Sequence, residues 1–394
     1  MHATEHQKTA LLIGGSYSAL PLGELIHNSG FKLIILTSNP NEPATYFADR
    51  VIVADYSNHQ ESLDALRSER FDYVIPSCND SSYLLGARLA EMFKLPGFDS
   101  FEICNLISSK RAFRDLAISI GIPSPLAFSE SDITNDFNQY PIIVKPNQSF
   151  SGRGISIVTE SSQLAEAFEQ ARNHSKDKKI AIESFINGSL HSVSAFMRNG
   201  TTKISFFVDE FCTVYPFQVN NSNYPSILKN DVKTKVLSSL DRLISELGLV
   251  EGLVHLQFMV QENDVYFIEI MRRCPGDLFG HLFKYAIGFD YYRAYLSTFL
   301  GYPFIDEVPE LVQFSQYVAR STETSNHARI FLSIASKITD TEIFPLASSG
   351  DRILPAPFGK TAITFFLTDN CDTLRKIYPN FDAALKVSSL RIGE

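Results

Sequence analysis

Paired cysteine is missing from this sequence. Cys78, Cys104, Cys212, Cys274 and Cys371 are scattered, odd in number and never spaced C-x-x-C. That spacing signals neither a zinc site nor a disulfide framework, and a reducing cytoplasm is the expected home. There is no run of about 18 apolar residues, which excludes an ordinary membrane-spanning helix. The N-terminus, MHATEHQKTALLIGG, lacks the apolar stretch and small-residue cleavage site of a secretory signal. A basic excess is missing too: the net charge is −9, with both signs interspersed, so nucleic acid is not an expected partner. The Walker pattern G-x-x-x-x-G-K-[ST] and the dinucleotide fingerprint G-x-G-x-x-G are both absent.

What is present suits a globular chain of two or three domains: 394 residues, 44% apolar and 20% charged. TALLIGG, FKLIILTS, RVIVADY and FDYVIPS are short apolar runs alternating with polar or helical segments. That alternation predicts a parallel sheet covered by helices, an α/β domain over residues 1–105. Gly14 and Gly15 read as a tight strand-to-helix turn.

Further along, SSKRAFRDLAISIGIPSP predicts a helix through Phe113, Leu116, Ala117 and Ile120, stopped at Gly121. SSQLAEAFEQARNH predicts an amphipathic helix and KIAIESFI a buried strand. DVKTKVLSSLDRLISELGL predicts a long helix with an apolar stripe of Val232, Val236, Leu240, Leu243, Ile244 and Leu247. GLVHLQFMVQENDVYFIEIMRR is a hairpin signal. Residues 301–394 read as a small α+β piece with no chemistry in it.

Two clusters could do chemistry. In PIIVKPNQSFSGRGISIV, Lys145 stands at the mouth of a loop that ends Ser151-Gly152-Arg153-Gly154. Successive backbone N–H groups in such a loop can converge on an anion. The plain structural reading is a hairpin turn beside a solvated lysine. In the hairpin, Gln257 and Glu269 face one another if the pairing is centred on Asn263, and separate if the centre falls between residues. A carboxylate on so apolar a strand needs a partner. Mg²⁺ is one candidate; Arg272 or Arg273 is the structural alternative.

The order of the pieces carries more than any one of them. Lys110 at a helix start, Lys145, KPNQSFSGRGI, ESFINGSLH and FIEIMRRCPGD follow one another in an order and spacing that resembles the ATP-grasp superfamily, over about residues 10–300. The resemblance implies an N-terminal parallel-sheet domain (1–105), a two-subdomain ATP-binding core (106–182 and 183–300) and a small C-terminal α+β region (301–394). It implies that Lys110 and Lys145 contact phosphates, and that Ser151, Gly152 and Gly154 cover them. Glu183 falls at the adenine edge, with Phe185 and Ile186 as backbone contacts and apolar wall, and His191 near the ribose. Glu269 matches the principal magnesium ligand, Gln257 the second metal position and Arg273 the arginine at the phosphate.

Gln257 stands where relatives carry an acid, and Met271 where most carry asparagine. Whether one metal or two bind stays open, with Asp277 a candidate substitute. The implied reaction uses ATP and Mg²⁺, or Mn²⁺, to turn a substrate carboxylate into an acyl phosphate that an amine attacks, releasing ADP and phosphate. Lys145 and Arg273 are the catalytic candidates. Alternatives within the resemblance are a bicarbonate-activating enzyme like biotin carboxylase and a nucleotide-binding relative without catalysis. A homodimer acting on small acids and amines is the implied assembly. The 215–230 segment and residues 274–281 are candidate substrate contacts.

Overall fold

The computed structural model describes residues 7–149, 152–305, 308, 314–320, 325–332, 338–368 and 385–390. Strands β1 (Thr9–Ile13), β2 (Lys32–Thr37), β3 (Arg50–Val53) and β4 (Tyr73–Pro76) form one parallel sheet in the order β3-β2-β1-β4. Their near-continuous Ile, Leu and Val suits strands buried on both faces. Helices α1 (Leu20–Asn28), α2 (His59–Ala65) and α3 (Asp80–Phe93) connect or follow them. The Gly14–Gly15 turn is filled from within the chain, the Gly15 amide donating to Glu42 Oε2 at 2.9 Å.

Helices α4 (Phe101–Ser108) and α5 (Lys110–Ser119) lead into the next layer. There β5 (Ala127–Phe128), β6 (Ile142–Pro146) and β7 (Ser156–Val158) make an antiparallel sheet with β8 (Ile180–Ser184), in the order β5-β8-β6-β7. Helix α6 (Leu164–His174) covers it through Ala167 and Ala171.

The largest sheet begins with β9 (Ser189–Arg198), β10 (Thr201–Phe211) and β11 (Asn221–Tyr224). Helix α7 (Asn230–Leu247) follows, then the hairpin β12 (Gly252–Gln261) and β13 (Asp264–Met271). The apolar stripe of α7 packs on one face of this sheet, against Val193, Phe207, Val254 and Phe258. Helices α8 (Gly280–Ile287) and α9 (Tyr291–Leu300) pack on the other face and against the N-terminal sheet, in one shared core.

The sheet does not stop near residue 300. Strands β14 (Phe314–Ala319), β15 (Ser325–Leu332), β16 (Ile338–Pro345), β17 (Arg352–Ile353), β18 (Ala362–Thr368) and β19 (Leu385–Leu390) complete the chain. Of these, β14, β18 and β16 extend the same sheet, in the order β13-β12-β9-β10-β11-β14-β18-β16. The register Asn221↔Tyr317 joins β11 to β14, so one sheet runs across the expected boundary at 300. Strands β17, β15 and β19 form a separate small sheet.

The hairpin resolves its register in an unexpected way. Its turn pairs Gln261 with Asp264, and Glu262 takes φ +59°. That turn alone centres the pairing between Glu262 and Asn263, which would set Gln257 opposite Ile268. Ile268 is bulged out instead, and beyond it Gln257 lies opposite Glu269.

Candidate active site

Ser109 caps α5, its hydroxyl accepting from the Ala112 amide at 3.3 Å. Asn147, just past β6, accepts the Arg111 amide at 3.0 Å. The first turn of α5 is thereby tied to the start of the glycine-rich loop. Lys110, in that turn, donates to the Ser149 carbonyl at 3.2 Å and lies 3.5 Å from Glu269 Oε1. Lys110, the loop and Glu269 therefore meet at one point between two sheets.

Behind them lies a buried ion triad. Lys145 Nζ donates to Glu183 Oε2 at 2.6 Å, and Arg114 Nε donates to Glu183 Oε1 at 3.0 Å. Burial opposes charge on Glu183, but Lys145 and Arg114 outweigh it and hold its pKa at about 2. Burial pulls the Lys145 pKa below the usual lysine range, and Glu183 only partly offsets it. One carboxylate shared by two cations leaves surplus positive charge at the mouth of the loop.

Arg114 was not a sequence candidate. Its spacing on α5 looks like any helix arginine, yet it is 1% exposed. Its Nη1 donates to the Phe267 carbonyl and its Nη2 to that of Ile268 at 3.1 Å. Those two carbonyls lie at the bulge, so Arg114 joins the ion triad to the register of the hairpin.

Gln257, Glu269, Ser192 and Glu210 occupy one face of the large sheet. Gln257 Nε2 donates to Glu210 Oε2 at 2.7 Å. Glu210 is the second residue missed by sequence reading, hidden in the strand FFVDEF. Burial, with repulsion from Asp209 and Glu269, pushes its carboxyl up to about 7. Met271 shares this face two residues beyond Glu269. Its thioether suits a hard cation poorly, whereas Glu269, Glu210 and the Gln257 amide offer oxygen, the donor set that Mg²⁺ or Mn²⁺ takes.

Arg273 extends the site toward the N-terminal sheet, its Nε donating to Asp80 Oδ1 at 2.7 Å. Burial opposes the charge on Arg273, but Asp80 and Glu269 more than compensate and raise its pKa. Gly152 (φ +68°) lies against segment 215–230: a Cβ there would meet the Phe217 carbonyl carbon at 2.7 Å. Arg153 lies over the Phe358 ring at 4.5 Å, so the loop touches the C-terminal region as well.

Several expectations change. His191 points to the opposite face from Gln257, because its neighbour Ser192 is the residue in register with Gln257. It is buried, stacked on Phe258 and bonded to Asp209 at 2.8 Å, on the face turned away from Glu269. Glu183 spends its carboxylate inside the ion triad rather than at an open adenine edge. The Phe185 amide is already taken by the Pro141 carbonyl at 3.1 Å; Phe185 and Ile186 remain half-buried on the connector after β8. Ser151 lies outside the described residues. Asp277 is not beside Gln257: it is held by Tyr17, Lys360 and Arg320. Residues 301–394, expected to carry no chemistry, supply two of those three partners.

Residues 138–279 match the ATP-grasp domain family. This segment is an ATP-grasp domain. Two curated relatives are formate-dependent phosphoribosylglycinamide formyltransferases of Prochlorococcus marinus. That of strain NATL1A is 24% identical over 365 residues, covering 88% of this chain and 91% of the relative. That of strain MIT 9312 is 26% identical, covering 75% and 77%. The L-amino acid ligase of Bacillus licheniformis superposes with a TM-score of 0.79 at 20% identity, over 96% of this chain and 98% of the other. The phosphoribosylglycinamide synthetase of Anaerococcus prevotii gives 0.76 at 19%, over 98% and 100%. The ATP-grasp fold, with its preceding parallel sheet, therefore holds along the chain. No helix among the described residues is long and apolar enough to cross a membrane.

Proposed function

We propose that this chain is an ATP-dependent carboxylate–amine ligase acting on small molecules. What supports the reading is the meeting of Lys110, Glu269 and the glycine-rich loop, with the Lys145–Glu183–Arg114 triad behind them. In the reaction a substrate carboxylate oxygen attacks the γ-phosphorus of ATP and ADP leaves. The amine then attacks the acyl carbon, phosphate leaves, and the nitrogen gives up a proton. Lys110 and Lys145 offset charge on the phosphates. The Gly152–Gly154 turn covers them and keeps water from the acyl phosphate. Arg273, held by Asp80, faces the acyl group. Glu269 and Gln257 would hold a Mg²⁺ or Mn²⁺ ion, which when bound neutralises charge on the transferred phosphoryl group.

We divide the chain by role at 1–105, 106–182, 183–300 and 301–394. The reading carries with it a cytoplasmic location, in keeping with four free cysteines among the described residues, and a homodimer, which sedimentation would test.

The test is ATP-dependent phosphate release across a panel: formate with phosphoribosylglycinamide, pairs of L-amino acids, other small acids with amines, and bicarbonate. Release with one acid–amine pair and a product containing both is the expected result. Glu269→Ala should abolish ADP formation while far-UV circular dichroism stays unchanged. Normal turnover by that variant would remove the assignment.

A further inference from the structure

At Gln257 the expected acid is missing, and a carboxylate from the neighbouring part of the sheet reaches the gap. Glu210 comes from β10, whereas Gln257 and Glu269 belong to the hairpin. The Gln257 amide nitrogen is committed to Glu210 Oε2 at 2.7 Å, which leaves the amide oxygen as its free end. Glu210 is 4% exposed and forms no ion pair among the described residues. A buried carboxylate without a counter-charge is costly. Its neighbour Glu269 lies 3.5 Å from Lys110 and near Arg273, and both cations also serve other partners. Ser192 Oγ, fully buried in the row of Gln257, lies beside Glu210 and faces the same side of the sheet. Among the described residues no three Asp, Glu, His or Cys side chains converge on a metal-sized point. The amide oxygen is therefore needed, together with two carboxylates, to make a hard oxygen set.

We propose that Glu210 is a donor to the divalent cation, supplying from β10 the carboxylate that position 257 lacks. The inference rests on the nucleotide–metal reading of Glu269 above. It moves part of the metal site off the hairpin: Gln257 serves through its amide oxygen and orients Glu210 through its amide nitrogen. Such a set can order only when β10 and the hairpin keep their register through β9, which lies between them.

The experiment is Mn²⁺ binding to the full chain followed by electron paramagnetic resonance, with Mn²⁺ alone and with Mn²⁺ plus adenylyl imidodiphosphate. The absence of tryptophan makes a spin probe the more direct readout. E210Q keeps the shape and the bond to Gln257 but removes the charge. It should weaken Mn²⁺ binding by about tenfold or more. Q257E placed on E210Q should recover most of that loss, because it returns a carboxylate to the hairpin. Unchanged Mn²⁺ affinity in E210Q, with E269Q strongly weakened, would overturn the role of Glu210 alone. Unchanged affinity in both variants would overturn the metal reading of the whole site. If E210Q were to unfold, as judged by its melting curve, E210D, which keeps the charge but draws the carboxylate back by one methylene, decides by the same resonance. Mn²⁺ binding weakened in E210D supports the role of Glu210, and unchanged binding overturns it.

Discussion

Gln257 stands opposite Glu269 only because Ile268 is bulged out of the hairpin, and the carbonyls of Phe267 and Ile268 both end on Arg114. A buried arginine on α5 thus bonds the bulge that brings Gln257 opposite Glu269, while also holding Glu183.

Arg114→Met should strip both roles at once. Glu183 would keep Lys145 but lose its second cation, and two carbonyls would lose their donor. Breaking a buried pair typically costs about 3–5 kcal/mol, so urea denaturation should show a loss of that order. Arg114→Lys, which retains charge but not the fork, should recover only part of it. A variant as stable as the unsubstituted chain would mean the bulge is held by other contacts.

Lys145→Ala should weaken binding of an ATP analogue measured by calorimetry. Arg114 stays to hold Glu183 in place, so the fold should persist by circular dichroism. Unaltered affinity would mean the ammonium group serves Glu183 and nothing else.

Gly152→Ala tests the covering loop. An L-residue at φ +68° costs about 1–2 kcal/mol, and the new methyl would press on the Phe217 carbonyl. The loop should open, raising KM for ATP and increasing phosphate release without product, while the melting temperature changes little. An unchanged KM would separate the loop from nucleotide binding.

His281 should shape the acid side of the stability profile. Burial, with Lys284 nearby, lowers its pKa to about 4 from the ordinary 6.5. Between those values the unfolded chain takes up a proton that the folded chain refuses. The stability contribution is therefore complete above about pH 6.5 and declines as pH falls toward 4, where both states are protonated. His281→Phe, which suits its aromatic surroundings of Tyr285, Tyr292 and Phe344, should flatten melting temperature against pH across that window. Parallel profiles for the two proteins would count against it.

The elements most legible in the sequence were those with local signals. The four apolar runs of the N-terminal sheet needed no long-range information. Neither did the α7 stripe, of which Val232, Val236, Leu240, Leu243 and Ile244 are buried. Lys110 and Glu269 were legible as site candidates because their order along the chain is distinctive. What stayed hidden depends on contacts far apart in sequence. The bulge at Ile268 is bonded by Arg114 from a helix far away in sequence, and no local pattern announces it. Glu210 follows Asp209 in a strand buried on both faces from Phe206 to Glu210, so its reach to Gln257 needed the three-strand register. The face that His191 takes was hidden as well, because a one-residue alternation along β9 separates the face of Ser192 from that of its neighbours. The union of β11 with β14 was out of reach because it pairs segments nearly a hundred residues apart.

That union bears on how the chain can be cut. A fragment ending at residue 300 would strip β14 from β11 and leave the main-chain donors and acceptors of Asn221–Tyr224 bare along a flank. Such an open flank recruits strands from other molecules. Preparations of the isolated ATP-binding core should therefore self-associate, whereas the whole chain shields that flank with its own later strands.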